Sequence, residues 1–149
     1  MAMSTRNDAS PRGVGVTRIS AELIMTGITF SMEEQGGAAQ VGRAVTRDAT
    51  TGKFGLSASN DRIDGRLAVV ERDGYGTVEV SGYVLLPFGD ATAPTIGELV
   101  EGYTHGVSAA NGYVRTDNTN GRHRVVDTPA VNVTGDCPTG YVLVHLDAQ

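Results

Sequence analysis

Histidine, cysteine and serine side chains are the groups of this sequence whose types most often carry chemistry. His105, His123 and His145 lie much farther apart than the roughly three to five residues that separate paired zinc ligands in a local motif. Cys137 precedes Pro138 in a predicted turn, and no serine stands in a Gly-x-Ser-x-Gly elbow. The sequence therefore predicts no metal, no cofactor and no enzymatic activity, and a hydrolase would have to work without these signatures.

Two carboxylates offer the oxygen ligands that calcium prefers, Asp61 and Asp64 in the run 60–65. This run lacks the ligand spacing of a calcium loop, and the hydrogen bonds of Asx turns account for the same residues. We predict a plain turn here, and calcium binding is the alternative.

The charge distribution argues against nucleic acid as a partner. The chain carries a formal net charge of −5, so it presents no basic field that would attract a phosphate backbone. The beginning of the chain differs, because between residues 1 and 20 the side chains of Arg6, Arg12 and Arg18 are opposed only by Asp8. We predict these arginines as docking residues, and a solvated tail is the alternative.

The chain divides into a polar arm and one domain. Residues 1–13 are small, polar and punctuated by Pro and Gly, so they lack the apolar positions that offset the entropy of ordering, and we predict an extended arm. Residues 14–149 have the length of a single domain. One cysteine allows no intrachain disulfide, and no apolar run has the length of a signal peptide core or a membrane span. We expect a protein made in a cytoplasm, without a membrane partner.

Strand and turn signals dominate residues 14–149 and predict an all-β fold. β-branched and aromatic residues with partial period-two alternation predict strands over 41–46, 54–56, 67–71, 77–86, 113–116, 123–126 and 141–146. Between these runs a glycine follows Thr, Asn or Asp at positions 52, 65, 74, 112 and 121, which is typical of tight turns. The best helical candidates are short, residues 95–100 after Pro94 and residues 19–25.

An internal echo predicts two similar β units. GRLAVVE at 65–71 corresponds to GRHRVVD at 121–127, and SGYVLL at 81–86 corresponds to TGYVLV at 139–144. Each unit would be a turn, a strand, a loop and a long strand, packed face to face or around a barrel, with chance similarity as the competing explanation. The predicted fold is a small β-barrel or β-sandwich with at most one or two short helices and an extended N-terminal arm.

Residues 42–146 contain motifs of a known family. "G-x-A-V" followed by Asp matches 42–45 and Asp48, and "D-G" before "V-x-V-x-G" matches 73–74 and 78–82. Farther along, "P-T-x-G-x-x-V" matches 94–100, and a closing "G-x-V-x-V-x-L" matches 140–146. In these motifs the chain resembles the small β-rich capsid decoration, or cement, proteins of tailed bacteriophages.

The resemblance implies a structural protein of the virion. Its expected partner is the major capsid protein and its expected state is a homotrimer on the outer capsid surface. There the N-terminal segment would grip the shell, and the body would stabilise the head by bridging neighbouring capsomers. Two alternatives stay open. One is another virion β protein, such as a tail-tube or head-fibre subunit, and the other is a β module that binds carbohydrate or a small ligand through Tyr75, Tyr83, Tyr103, Tyr113 and Tyr141.

Overall fold

The computed structural model describes residues 15–89, 92–128 and 140–147 and shows an all-β protein in these ranges. The helical content of this part of the chain is one 3-10 helix, Gln35–Gly37. The strands are β1 (Thr17–Glu22), β2 (Ala44–Arg47), β3 (Phe54–Leu56), β4 (Gly65–Val70), β5 (Tyr75–Pro87), β6 (Leu99–Tyr103), β7 (Tyr113–Thr116), β8 (His123–Asp127) and β9 (Tyr141–Leu146). The arm predicted for residues 1–13 lies outside the described residues.

The strand predictions are confirmed and both helix predictions are wrong. Every stretch predicted as a strand overlaps one, and 54–56, 113–116 and 141–146 are the bounds of β3, β7 and β9. The supposed helix at 19–25 begins inside β1, where antiparallel pairing with β5 overrides a weak local preference for helix. The supposed helix at 95–100 is a turn followed by the start of β6, and Gly97 has a φ of 94°, which no right-handed helix contains.

β5 is the strand around which the sheet is arranged. The strand order is β3-β2-β4-β5-β9-β8-β6-β7, and β1 is a further partner of β5. The first part of β5 pairs with β4 and β1, and the second part, from Gly82 to Pro87, pairs with β9. The sheet thus has a first half, β1 to β4, and a second half, β6 to β9, and β5 belongs to both.

Gly82 lies where β5 passes from the first half to the second. Its φ is 105°, a backbone conformation that L side chains rarely adopt. A Cβ at this position would lie 2.8 Å from the Cα atom of Val16 and 2.9 Å from the carbonyl oxygen of Gly15. The chain that leads into β1 therefore crosses β5 so closely that only a glycine fits beneath it.

The sheet is not a closed barrel. Within the described ranges, the outer elements of the first half meet at a single parallel bridge between Leu23 and Phe54. Phe88, just after β5, forms a similar bridge to Val114 in the second half. The predicted barrel or sandwich is thereby refined to one nine-stranded antiparallel sheet whose ladder stays open.

Two apolar clusters occupy the interior, and alternating side chains of β5 contribute to both. Val78 packs in the first cluster, whereas Val84 and Leu86 pack in the second. Each fully buried aliphatic side chain contributes on the order of 1.5–3 kcal/mol to folding. The other main members are Leu23, Ile28, Val45, Phe54, Leu67 and Val70 in the first cluster, and Ile63, Val100, Val114, Val125, Val142, Val144 and Leu146 in the second.

The loop 57–64 between β3 and β4 fastens the first half to the second. The Gly102 N–H donates to the carbonyl oxygen of Asp61 at 2.8 Å, and the Asn60 N–H donates to the carbonyl oxygen of Gly102 at 3.1 Å. Ile63 of the same loop buries its side chain in the second cluster. Two backbone groups of the loop are thus satisfied by β6.

The echoed segments lie on paired strands, but their registers are not equivalent. β4 carries the first copy and pairs with residues 76–79 of β5, which precede the echoed part of that strand. β8 carries the second copy and pairs with residues 143–145, most of them inside the echoed part of β9. Val69 is exposed whereas its counterpart Val125 is buried. The two copies are therefore neighbours within one sheet, not units packed face to face.

We predict that Gly102→Ala lowers the free energy of unfolding by about 2 kcal/mol or more. An added Cβ would lie 2.6 Å from the carbonyl oxygen of Ala58 and 2.8 Å from the Cβ atom of Ser57, so β6 or the loop 57–64 must shift. Urea unfolding followed by circular dichroism measures the change. Gly106→Ala is the matched control, because its nearest neighbouring atom is 3.5 Å away. Equal unfolding midpoints for the two variants would show that the loop is not tightly fastened.

Candidate docking surface

Three charged side chains form a row across β1, β5 and β4, which we call the arginine–glutamate row. Arg18 and Arg66 are the register partners of Glu79 on its two sides. Arg18 donates from Nε to Oε2 of Glu79 at 3.0 Å, and Arg66 donates from Nη1 to Oε1 at 2.8 Å. Glu79 is buried, so these charge-assisted hydrogen bonds replace its contacts with water. The row ties Arg18, the second residue of β1, to the centre of the sheet.

The two arginines of the row differ in exposure. The side chain of Arg66 is 22% exposed and also donates from Nε to the carbonyl oxygen of Leu85 at 3.1 Å. The side chain of Arg18 is 62% exposed. Arg18 thus combines a structural contact with a place on the surface, and its role as a docking residue stays a prediction. Arg6 and Arg12 lie outside the described residues.

A polar groove of about 520 Å³ lies over the arginine–glutamate row. Its walls are β4 and residues 34–41, which include Glu34 and Gln35. Two arginines and two glutamates line this groove, so their formal charges cancel. The groove therefore presents both positively and negatively charged side chains, so it does not select for anions or for cations.

A smaller cavity of about 230 Å³ lies on the opposite side of the sheet, which we call the Ile19 cavity. Ile19 and Val80 alternate with Arg18 and Glu79 along their strands, so they face the other way. Phe54 and Ile63 complete an apolar lining. The polar lining consists of Arg47, Arg62, Asp64, His123 and Asp147.

β1 borders this cavity and is the most exposed strand of the protein. The Leu23 N–H donates to Gly74 of the β4–β5 turn, whereas the Ile24 N–H points the other way and donates to Phe54. Because backbone groups alternate along a strand, those of Ser20 and Glu22 point away from β5. No strand in the described ranges pairs with this free edge over residues 17–22.

His123 is buried between the loop 57–64 and the end of β9. The Asp147 N–H donates to Nδ1 at 3.1 Å, so Nδ1 carries no proton, and Nε2 donates to the carbonyl oxygen of Ile63 at 2.7 Å. Desolvation by burial lowers the pKa of His123 below its ordinary value of 6.5, although the hydrogen bond to Ile63 opposes this shift. The neutral imidazole is thus a further link between the two halves.

The other two histidines have separate surroundings. His105 accepts hydrogen bonds at Nδ1 from the N–H groups of Val107 and Ser108, both at 3.2 Å, and its ring is buried in the β6–β7 turn. His145 stacks on Tyr83 with ring centroids 4.7 Å apart. Within the described ranges no three His, Cys, Asp or Glu side chains are grouped as a metal site would require. Cys137 lies outside the described residues.

The carboxylates considered for calcium make the hydrogen bonds of turns. Asp61 accepts at Oδ2 from the Ala58 N–H at 2.9 Å. Asp64 accepts from the Arg47 N–H at 2.9 Å and from Arg62 Nε at 2.8 Å. These contacts engage Oδ2 of Asp61 and both carboxylate oxygens of Asp64, and they hold the loop 57–64 in shape.

The tyrosines occupy separate places and form no joint platform in the described structure. Tyr75 begins β5, Tyr141 begins β9, and Tyr83 stacks on a histidine. Tyr103 and Tyr113 are register partners in β6 and β7, but Tyr113 is buried. The geometry thus gives no specific support to a stacking site for carbohydrate.

No protein-family model matches the chain, and no curated protein matches it with significant sequence similarity. Among the described residues no helix has the length and apolar character needed to cross a membrane. The function of the protein has therefore to be inferred from its surfaces and its sequence motifs.

We predict that the stability of the protein falls as the pH drops below about 6.5 and that His123 contributes to this fall. Its lowered pKa means that the unfolded chain takes up a proton at higher pH than the folded chain, so stability is full above the ordinary pKa and is lost below it. The contribution approaches at most about 1.4 kcal/mol per pH unit. His123→Gln keeps a donor for Ile63 but does not titrate. Urea unfolding between about pH 8 and pH 5 should give a shallower slope for this variant, and equal slopes would contradict the prediction.

We predict that Arg66→Met destabilises the fold more than Arg18→Met does. Loss of Arg66 leaves a buried oxygen of Glu79 and the carbonyl oxygen of Leu85 without their donor, with an expected cost of roughly 2–3 kcal/mol. Arg18 is mostly exposed, so water replaces part of its contact and the expected cost is about 1 kcal/mol. Urea unfolding midpoints of the two variants check the order, and the reverse order would contradict it.

Proposed function

We propose that this protein is a structural component of a virion that binds the outer surface of a bacteriophage capsid and stabilises it by bridging neighbouring capsomers. The motifs shared with decoration proteins support this proposal. The observation that carries it is the position of β1, which directly follows the polar arm, is exposed along most of its length and has a free edge. The partner is the major capsid protein, and the protein acts as a homotrimer on the outer shell.

The body of the protein has the features that a bridging role needs. Its interior holds two apolar clusters, and its buried glutamates are paired. Glu79 pairs with the two arginines of the arginine–glutamate row, and Glu101 pairs with Arg115 at 2.8 Å. A rigid body transmits force between the surfaces that it joins. Three equivalent attachments in a trimer raise the effective concentration of each contact after the first, so modest contacts suffice.

The arm and β1 act together in this proposal. Arg6 and Arg12 of the arm contact the shell, and β1 connects the arm to the body. A pull on the arm acts along β1, where the backbone pairing with β5 and the contact between Arg18 and Glu79 resist it. Attachment through the arm is therefore transmitted to the most central strand of the sheet.

Stoichiometry separates this function from that of another virion protein. A decoration protein approaches the number of capsid subunits, because it occupies equivalent positions over the whole shell. A tail-tube or head-fibre subunit is present in far fewer copies. Quantitative mass spectrometry of purified virions gives this ratio directly, and a small ratio would overturn the proposal.

We predict that deleting residues 1–13 leaves a folded protein that attaches more weakly to capsids. The deletion removes Arg6 and Arg12 but none of the strands that the structure describes. The measurement is co-sedimentation with undecorated shells of the phage that encodes the protein. The double variant Arg6→Gln and Arg12→Gln in the full chain isolates the charges. If these charges dominate, attachment of the intact protein falls sharply as salt rises, whereas apolar contacts resist moderate salt. Unchanged co-sedimentation of the truncated protein would contradict a gripping arm.

A further inference from the structure

We propose that the free edge of β1 accepts an extended strand of the capsid subunit, which joins the sheet beside β1 and places apolar side chains in the Ile19 cavity. The proposal rests on the proposed function, because it names the contact through which the body would hold the shell. Addition of a strand to an exposed edge is a general mode of recognition, in which main-chain hydrogen bonds supply affinity and pockets supply specificity.

The edge of β1 lacks two of the usual protections against such pairing. Exposed edge strands commonly carry a proline or an inward-pointing charge that prevents a second strand from adding. β1 contains no proline, and the side chains that face inward are those of Ile19 and Ala21. Its one arginine, Arg18, points to the other side and is held by Glu79. Within the described ranges the backbone groups of Ser20 and Glu22 therefore have no strand partner and can pair with an added strand.

The Ile19 cavity explains what the inward side chains of an added strand would contact. Ile19 is 39% exposed, although it lies on the inner side of β1. Together with Phe54, Ile63 and Val80 it lines about 230 Å³ next to the free edge. Successive inward residues of a docked strand would enter this space, which suits small aliphatic side chains. Each one buried there contributes on the order of 1 kcal/mol or more.

The charged side chains on the outer side of β1 favour particular charges on the outward-facing residues of the docked strand. Arg18 stands near one end of β1 and Glu22 at the other, so an acidic residue of the partner suits the first position and a basic residue the second. Lys53 already contacts Glu22 at 2.7 Å and limits what fits there. The bridge between Leu23 and Phe54 ends the slot on that side. The expected occupant is a short extended segment with alternating apolar and charged residues.

The first test compares Ser20→Pro with Ser20→Ala in the full chain. Proline removes the N–H that points away from β5 and leaves the pairing of β1 with β5 in place, whereas alanine keeps that N–H. The probe is again the undecorated shell. We expect Ser20→Pro to bind about tenfold or more weakly than the wild-type protein, and Ser20→Ala to bind like it.

The second test keeps the proposal testable if proline disturbs the fold. Ile19→Lys places an inward charge at the cavity, and Val69→Lys places the same charge on β4 at a matched exposure of 37% against 39%. We expect about tenfold weaker binding to shells for Ile19→Lys alone. Thermal unfolding of both variants shows whether each is folded.

The outcomes separate this proposal from the function on which it rests. If Ser20→Pro and Ile19→Lys both bind shells as tightly as the wild-type protein does, docking at the edge is overturned and the capsid function is left intact. Wild-type protein that fails to bind shells at all would overturn both. Loss of binding in these two variants, with Ser20→Ala and Val69→Lys unaffected, is the result that supports strand addition.

Discussion

β5 has to satisfy two sets of neighbours along its thirteen residues, and the arrangement of the other strands follows from this. Its first part needs partners on both edges, which β1 and β4 supply, and its second part continues into a sheet with β9. Side chains that alternate along the same strand enter both apolar clusters. The change of partners requires the positive φ of Gly82 and the close passage of Val16, so a single glycine joins the two halves.

Buried charge reinforces the strand registers that hydrophobic burial sets. Two buried glutamates of the described structure are paired with arginines on adjacent strands, Glu79 with Arg66 and Glu101 with Arg115. A slip of one residue would turn the arginine to the other face and leave the carboxylate without its partner, at a cost larger than the pair contributes when intact. The register of β1 is reinforced in the same way, by the ion pair between Arg18 and Glu79. One edge of β1 is therefore fixed to β5, and its other edge has no strand partner in the described ranges.

The predictions from sequence succeeded where local pattern and tertiary structure agree. β-branched and aromatic residues with partial alternation identified β3, β7 and β9 to the residue, because most of these apolar side chains are also the ones that the sheet buries. β1 escaped recognition because its residues are mostly exposed and resemble a short polar helix, and only pairing with β5 makes them a strand. β6 escaped because it contains Glu101 and Gly102, which are unusual in a strand, yet here they supply an ion pair and a close backbone contact.

The sequence by itself determined an all-β chain, its turns and most of its strands, because these depend on side-chain alternation and on glycine at turns. It also marked Arg18 as notable, but for a charge imbalance and not for the contact with Glu79. The tertiary structure alone decided that β5 is shared, that the sheet stays open, and that the free edge of β1 lies beside the Ile19 cavity. Such features bring together residues as distant as Ile19, Phe54 and His123, and no local pattern records which distant strands will meet.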